Sequence, residues 1–136
     1  MQNPPPVQTT KSSTGLDENI AALLSYVFGW VSGLIFFLIE KDSRLVRFHA
    51  MQSILFNVLI GIVAFVLWIV LFIFLIVLSR VAEGLAAIVS LLSILIWLLF
   101  SGLILVGWII CLVKAYQKQY FKLPVIGNFA EKFSAK

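Results

Sequence analysis

Polar and charged positions in this chain gather at its two ends and in one short stretch between, and the runs that separate them are uniformly apolar. Residues 20–39 are twenty positions without a charge, 54–78 are twenty-five interrupted only by Asn57, and 84–113 are thirty without a charge. A helix rises ~1.5 Å per residue, so about twenty residues cross a hydrocarbon core ~30 Å thick. Each run is long enough. The runs are continuous rather than alternating over about ten residues, which selects helices over barrel strands. The last would reach ~45 Å as one helix, and Ser101-Gly102 marks where it would break if it formed two.

Composition moves the class in the same direction. The chain has 136 residues, of which 62% are hydrophobic and 12% charged, with a mean hydropathy of +1.09. Soluble domains carry about 25% charged residues to cover their surface. The expectation is an all-α integral membrane protein: a bundle of three transmembrane helices over 20–39, 50–78 and 84–113, with four possible. A polar, disordered tail over 1–19 precedes it and a short, basic, aromatic and amphipathic tail over 114–136 follows. The start lacks the basic segment and cleavage site of a secretory signal, so the first span is expected to be retained. Asp17 and Asn19 are the candidate caps of its helix.

Lysine and arginine set the orientation. The first loop carries Lys41, Arg44 and Arg47, and the final tail Lys114, Lys118, Lys122, Lys132 and Lys136. The N-terminal tail has only Lys11, and the link between the second and third spans only Arg80, with Glu83 as its i,i+3 partner. Three spans then give a multi-pass protein with its N-terminus outside and its C-terminus inside. The net charge of +4 is accounted for by this topology and by anionic lipid, not by nucleic acid.

Two patterns invite a functional reading. Ala21, Ser25, Gly29 and Gly33 recur every four residues, a ridge that would let a second helix approach closely. Its partner is either another copy or another span of the same chain, with Ala82, Ala86 and Ser90 as candidates. His49, Gln52, Ser53 and Asn57, with Phe56, fall in one stripe of a helix that opens the second span. Arg47 points away from the stripe and is expected to snorkel to headgroups. Bare amides facing hydrocarbon are costly, so the stripe must meet protein, water or a ligand.

The tail has its own pattern. Lys114, Lys118 and Lys122 alternate with Tyr116, Tyr120 and Phe121, the mixture expected where a helix leaves the membrane. Pro124 stops that helix, Gly127 permits a turn, and Asn128 would cap a last amphipathic turn carrying Phe129 and Phe133. The tail reads as a surface anchor, or as a docking site for a soluble partner.

Chemistry is sparsely provided. One histidine and one cysteine, Cys111, lie more than sixty positions apart, and no acid falls inside a span. No metal-ligand cluster, phosphate loop, nucleophile elbow or inverted repeat is visible. No enzyme activity, cofactor or metal is expected.

"EKDSRLVRFHAMQS" after an apolar run, with "YFKLPVIGNFAEKF" near the far end, resembles the small prokaryotic membrane proteins grouped as Tic-like. These are named for distant similarity to the twenty-kilodalton Tic subunit of the chloroplast inner-envelope translocon. The resemblance runs from about Leu16 to Phe133. It matches Lys41, Asp42, Arg47, Phe48, His49, Ala50, Gln52 and Ser53, then Pro124, Gly127 and Ala130. It implies a helical protein of the prokaryotic cytoplasmic membrane and, through the plastid relatives, a subunit of a protein-translocation complex. Those relatives have four spans where this chain shows three.

The leading expectation is a non-enzymatic protein that acts by helix association, with itself or as an accessory subunit of a membrane complex, its partners being lipid and membrane proteins. A channel or carrier with a cytosolic vestibule lined by His49, Gln52 and Asn57 is the alternative. An interfacial lipid enzyme using His49 is the third.

Overall fold

The structure is a computed structural model that describes residues 11–135, Glu83 by its backbone alone. Five helices follow one another: α1 Glu18–Val27, α2 Trp30–Ile39, α3 Arg44–Val81, α4 Glu83–Tyr116 and α5 Ile126–Ser134. The described residues up to Asn57 and from Cys111 onward make one compact unit, and Val58–Ile110 makes a second.

The second unit is the simpler. α3 and α4 are both long and apolar enough to cross a membrane. Ser101 bonds back to the Trp97 carbonyl at 2.8 Å, and α4 runs through Ser101-Gly102 as one helix. Ser79, Ser90 and Ser93 satisfy their hydroxyls on carbonyls of their own helices in the same way, as apolar surroundings require. Many large side chains here, Val66, Trp68, Phe72, Leu91 and Leu98 among them, are half or more exposed. Such an apolar surface suits lipid better than water. The expected Arg80–Glu83 pair involves a side chain outside the described residues.

The first unit departs from the sequence reading. The run over 20–39 is not one helix but two of ten residues each, folded back on one another. Ser32 Oγ donates to the Ser25 carbonyl at 3.1 Å and accepts from the Phe28 N–H at 3.1 Å, closing the tip. At the other end Ser13 meets the Glu40 carboxylate, and Ser43 Oγ donates to Glu18. A continuous twenty-residue helix would hold its ends ~30 Å apart. These contacts bring them together, so 20–39 is a helical hairpin rather than one continuous helix, and α3 and α4 remain as the helices long and apolar enough to cross a membrane.

Gly29 makes the reversal. Its φ of 61° and ψ of −134° lie where a side chain is strained, and glycine reaches them freely. A Cβ there would also stand 3.1 Å from Asn57 Oδ1. Gly33 serves a different purpose, close approach. Its Cβ would lie 2.9 Å from the Ala50 carbonyl oxygen and 3.1 Å from Ser53 Cβ, both on α3. The Ala21–Gly33 series is therefore divided between two helices, and the partner of its glycines is α3 of the same chain. The core of this unit gathers Ala21, Ala22 and Tyr26 with Val46, Phe48, Cys111, Ala115 and Ala130.

α5 begins at Ile126, with Val125 as its N-cap at φ 71°. Asn128 lies inside the helix instead of capping it. Ile126, Gly127, Ala130 and Ser134 are buried, while Phe129 and Phe133 are exposed. Gly127 is needed because a Cβ would collide at 2.5 Å with Lys122.

Candidate functional site

The polar stripe at the start of α3 faces inward. His49, Gln52 and Ser53 have no exposed surface, and Asn57 is half-buried. His49 Nε2 lies 3.0 Å from the Gln119 carbonyl, which can only accept, so a neutral ring donates there. Its Nδ1 then accepts from the Tyr26 hydroxyl at 3.1 Å, and that hydroxyl accepts from the Gln52 amide at 3.2 Å. Gln52 also donates to the Phe121 carbonyl at 3.0 Å and accepts from the Leu123 N–H at 3.3 Å. Ser53 donates to the Gly29 carbonyl at the hairpin tip, and Asn57 to the Ser53 carbonyl on its own helix. Phe48 packs edge-on against His49 and reaches Tyr120 with its other side, 5.4 Å between ring centres.

Tyr26 of α1, the hairpin tip and the tail thus converge on His49, Gln52 and Ser53. The extended segment after α4 has unpaired backbone groups wherever it is not helical, and such groups must be met when buried. Gln52 and His49 meet three of them. The stripe clasps the tail and the hairpin tip. Among the described residues no buried side-chain polar atom lacks a partner.

The first loop behaves differently from its sequence reading. Lys41 and Arg44 are exposed. Arg47 does not snorkel to headgroups: it is half-buried, donates from Nη1 to the Glu40 carbonyl at 3.0 Å and from Nε to the Ser134 carbonyl at 3.4 Å, and covers the Phe37 ring at 4.8 Å. A guanidinium has five donors in a fixed fork, which suits a group that must tie α2, α3 and α5 together.

Sequence reasoning passed over Glu40. Its carboxylate is fully buried and accepts from the N–H groups of Ser13, Asp42 and Ser43 and from the Ser13 hydroxyl, at 2.8 to 3.1 Å. Burial pushes this carboxyl up, but the N–H donors of Ser43, Ser13 and Asp42, with the Ser13 hydroxyl, outweigh it and hold it below the ordinary 4.5. The one signal available was an acid set directly against an apolar run. In the tail, Lys122 pairs with Glu131 at 2.7 Å on an exposed surface, and Pro124 precedes the α5 N-cap. Among the described residues no three of His, Cys, Asp and Glu gather as metal ligands.

With this geometry in hand, comparison with known proteins is informative. The profile of the magnetosome magnetite crystal formation protein family matches residues 16–130, which takes in the hairpin, both long helices and the tail as far as Ala130. The chain belongs to this family. A UPF0132 membrane protein of Methanocaldococcus jannaschii is 41% identical over 128 residues, 91% of this chain and 94% of the relative. One from Archaeoglobus fulgidus is 37% identical over 116 residues, covering 85% and 94% of the two chains. A second M. jannaschii protein of that name is 33% identical over 122 residues, 88% and 71%. No solved structure matches. Membership in the magnetosome magnetite crystal formation family supports the coarser part of the Tic-like resemblance, a family of membrane proteins. It lends nothing to a plastid-translocon link.

Proposed function

We propose that the chain is a non-enzymatic protein of the prokaryotic cytoplasmic membrane that acts by association, with itself or with other membrane proteins, through the lipid-facing parts of α3 and α4. The observation that carries this reading is the fate of the polar stripe. A vestibule or an interfacial active site would need His49, Gln52 and Asn57 to present polar surface. His49 and Gln52 are instead consumed by Tyr26 and by backbone groups of the tail, and the half-buried Asn57 donates to its own helix. The large outward surface left between residues 58 and 110 is apolar.

With two spans the proposed orientation changes as well. The hairpin returns the N-terminal segment to the level of the first loop, so Lys11, Lys41, Arg44 and Arg47 share one side with the tail lysines, and Arg80 stands at the other end of α3. The positive-inside rule then places both ends in the cytosol, in place of an external N-terminus. The family's description speaks of magnetite crystal formation, and the archaeal relatives are named for membrane location alone. Membrane residence is the property carried over from them.

Photo-crosslinking in native membranes tests the association. Probes at Val66 and Leu98, 53% and 65% exposed, should capture a second copy or one and the same identified membrane protein, while a probe at Gln52 should capture only the chain itself. Capture of lipid alone from Val66 and Leu98 would overturn the reading.

A further inference from the structure

The hairpin shows a gradient along its length that its packing does not require. Asp17, Glu18, Glu40, Lys41 and Asp42 stand at its base, and Phe28 and Trp30, 76% and 55% exposed, stand at its tip. The inner side of α2 is closed on α3 through Gly33. The outer side presents Val31, Leu34, Ile35 and Leu38, each more than two-fifths exposed. A charged base, an apolar tip and an apolar outer face describe an element that enters lipid from one side and stops. Helices of ten residues are ~15 Å long, so the hairpin reaches at most half of a ~30 Å core.

We propose that this hairpin is a wedge for a single leaflet, and that the surface it recognises is a convexly curved lipid monolayer. Two helices each ~10 Å across add ~160 Å² of area to the leaflet they enter. The link between α3 and α4 is Ala82 alone, so the described residues offer no matching hairpin at the other end of those helices. Its reach of ~15 Å keeps the hairpin within one leaflet. Extra area confined there is accommodated at least cost where that monolayer bends outward. Lys41 and Arg44, exposed at the base, lie where anionic headgroups are met.

The inference rests on the membrane placement proposed above, and the test reads the two separately. The full chain carrying Lys11→Cys is reconstituted into giant vesicles of phosphatidylcholine with a minor fraction of phosphatidylglycerol. It is labelled from outside with a membrane-impermeant dye, and narrow tubes are drawn from the vesicles. Only molecules with the hairpin base outward are seen, because the wild-type Cys111 is buried. The labelled protein should be enriched on tubes about two-fold or more over a lipid dye, a bias of only RT ln 2, and more so as the tube narrows. Inserted, labelled protein with a ratio of one at every radius would overturn the wedge while leaving the membrane placement intact. Failure to insert would overturn both. Phe28→Ser with Leu38→Gln changes two lipid-facing side chains and should return the ratio toward one, with Cys111 still shielded from thiol reagents in detergent. Undiminished sorting by that variant would also overturn the proposal.

Discussion

Gln52 illustrates what a single polar side chain does when burial denies it water. Its amide bridges Tyr26 and Phe121 as donor and Leu123 as acceptor. Gln52→Leu keeps the volume and leaves two tail backbone groups unmet, each costing about 1–3 kcal/mol when buried. The tail should loosen, with trypsin cutting at Lys118 and Lys122 several-fold faster while helix content stays constant. Unchanged cleavage would show that the tail docks without this clasp. The direction of the stripe was legible from helical spacing alone, because amides avoid hydrocarbon whatever the fold. Its partners were not, since Gln119, Phe121 and Leu123 contribute only main-chain atoms and a sequence does not display where those go. Arg47 misled for a related reason: a long side chain at a helix start can reach headgroups or carbonyls equally well. The choice was made by Glu40 and Ser134, 7 and 87 positions away.

Among the elements, α3 and α4 were legible because length and uniform hydrophobicity suffice to define a lipid-facing helix. The hairpin was not. A glycine every fourth residue looks the same whether it admits a neighbouring helix, as Gly33 does, or reverses the chain, as Gly29 does; only the backbone angle separates them. Once the reversal is made, Glu40 holds the base of the hairpin to the segment around Ser13, and that contact depends on pH. The carboxyl titrates lower in the folded chain than its ordinary 4.5, so its contribution is complete above 4.5 and is lost as pH falls through the depressed value. Amide exchange at Ser13, corrected for intrinsic rates, should therefore lose protection below pH 4.5. Glu40→Gln should show weak protection and no such step. A wild-type step at higher pH, or none, would contradict the assignment.

For the whole molecule, the hairpin changes the count that decides topology. Cysteines placed at Lys11 and at Ala135 should both react with an impermeant maleimide in inverted membrane vesicles, and neither in intact cells. Labelling of position 11 from outside would restore the three-span arrangement. The tail clasp described above also bears on how the protein is made. His49 and Gln52 are synthesised some seventy residues before the carbonyls they bind, Gln119 and Phe121. During that interval the start of α3 carries two strong hydrogen-bonding groups without their final partners. A chain halted between α4 and the tail therefore carries its own mark of incompleteness, two polar side chains still without their partners. Completion of the tail removes that mark, so the clasp doubles as a record that synthesis has reached Leu123.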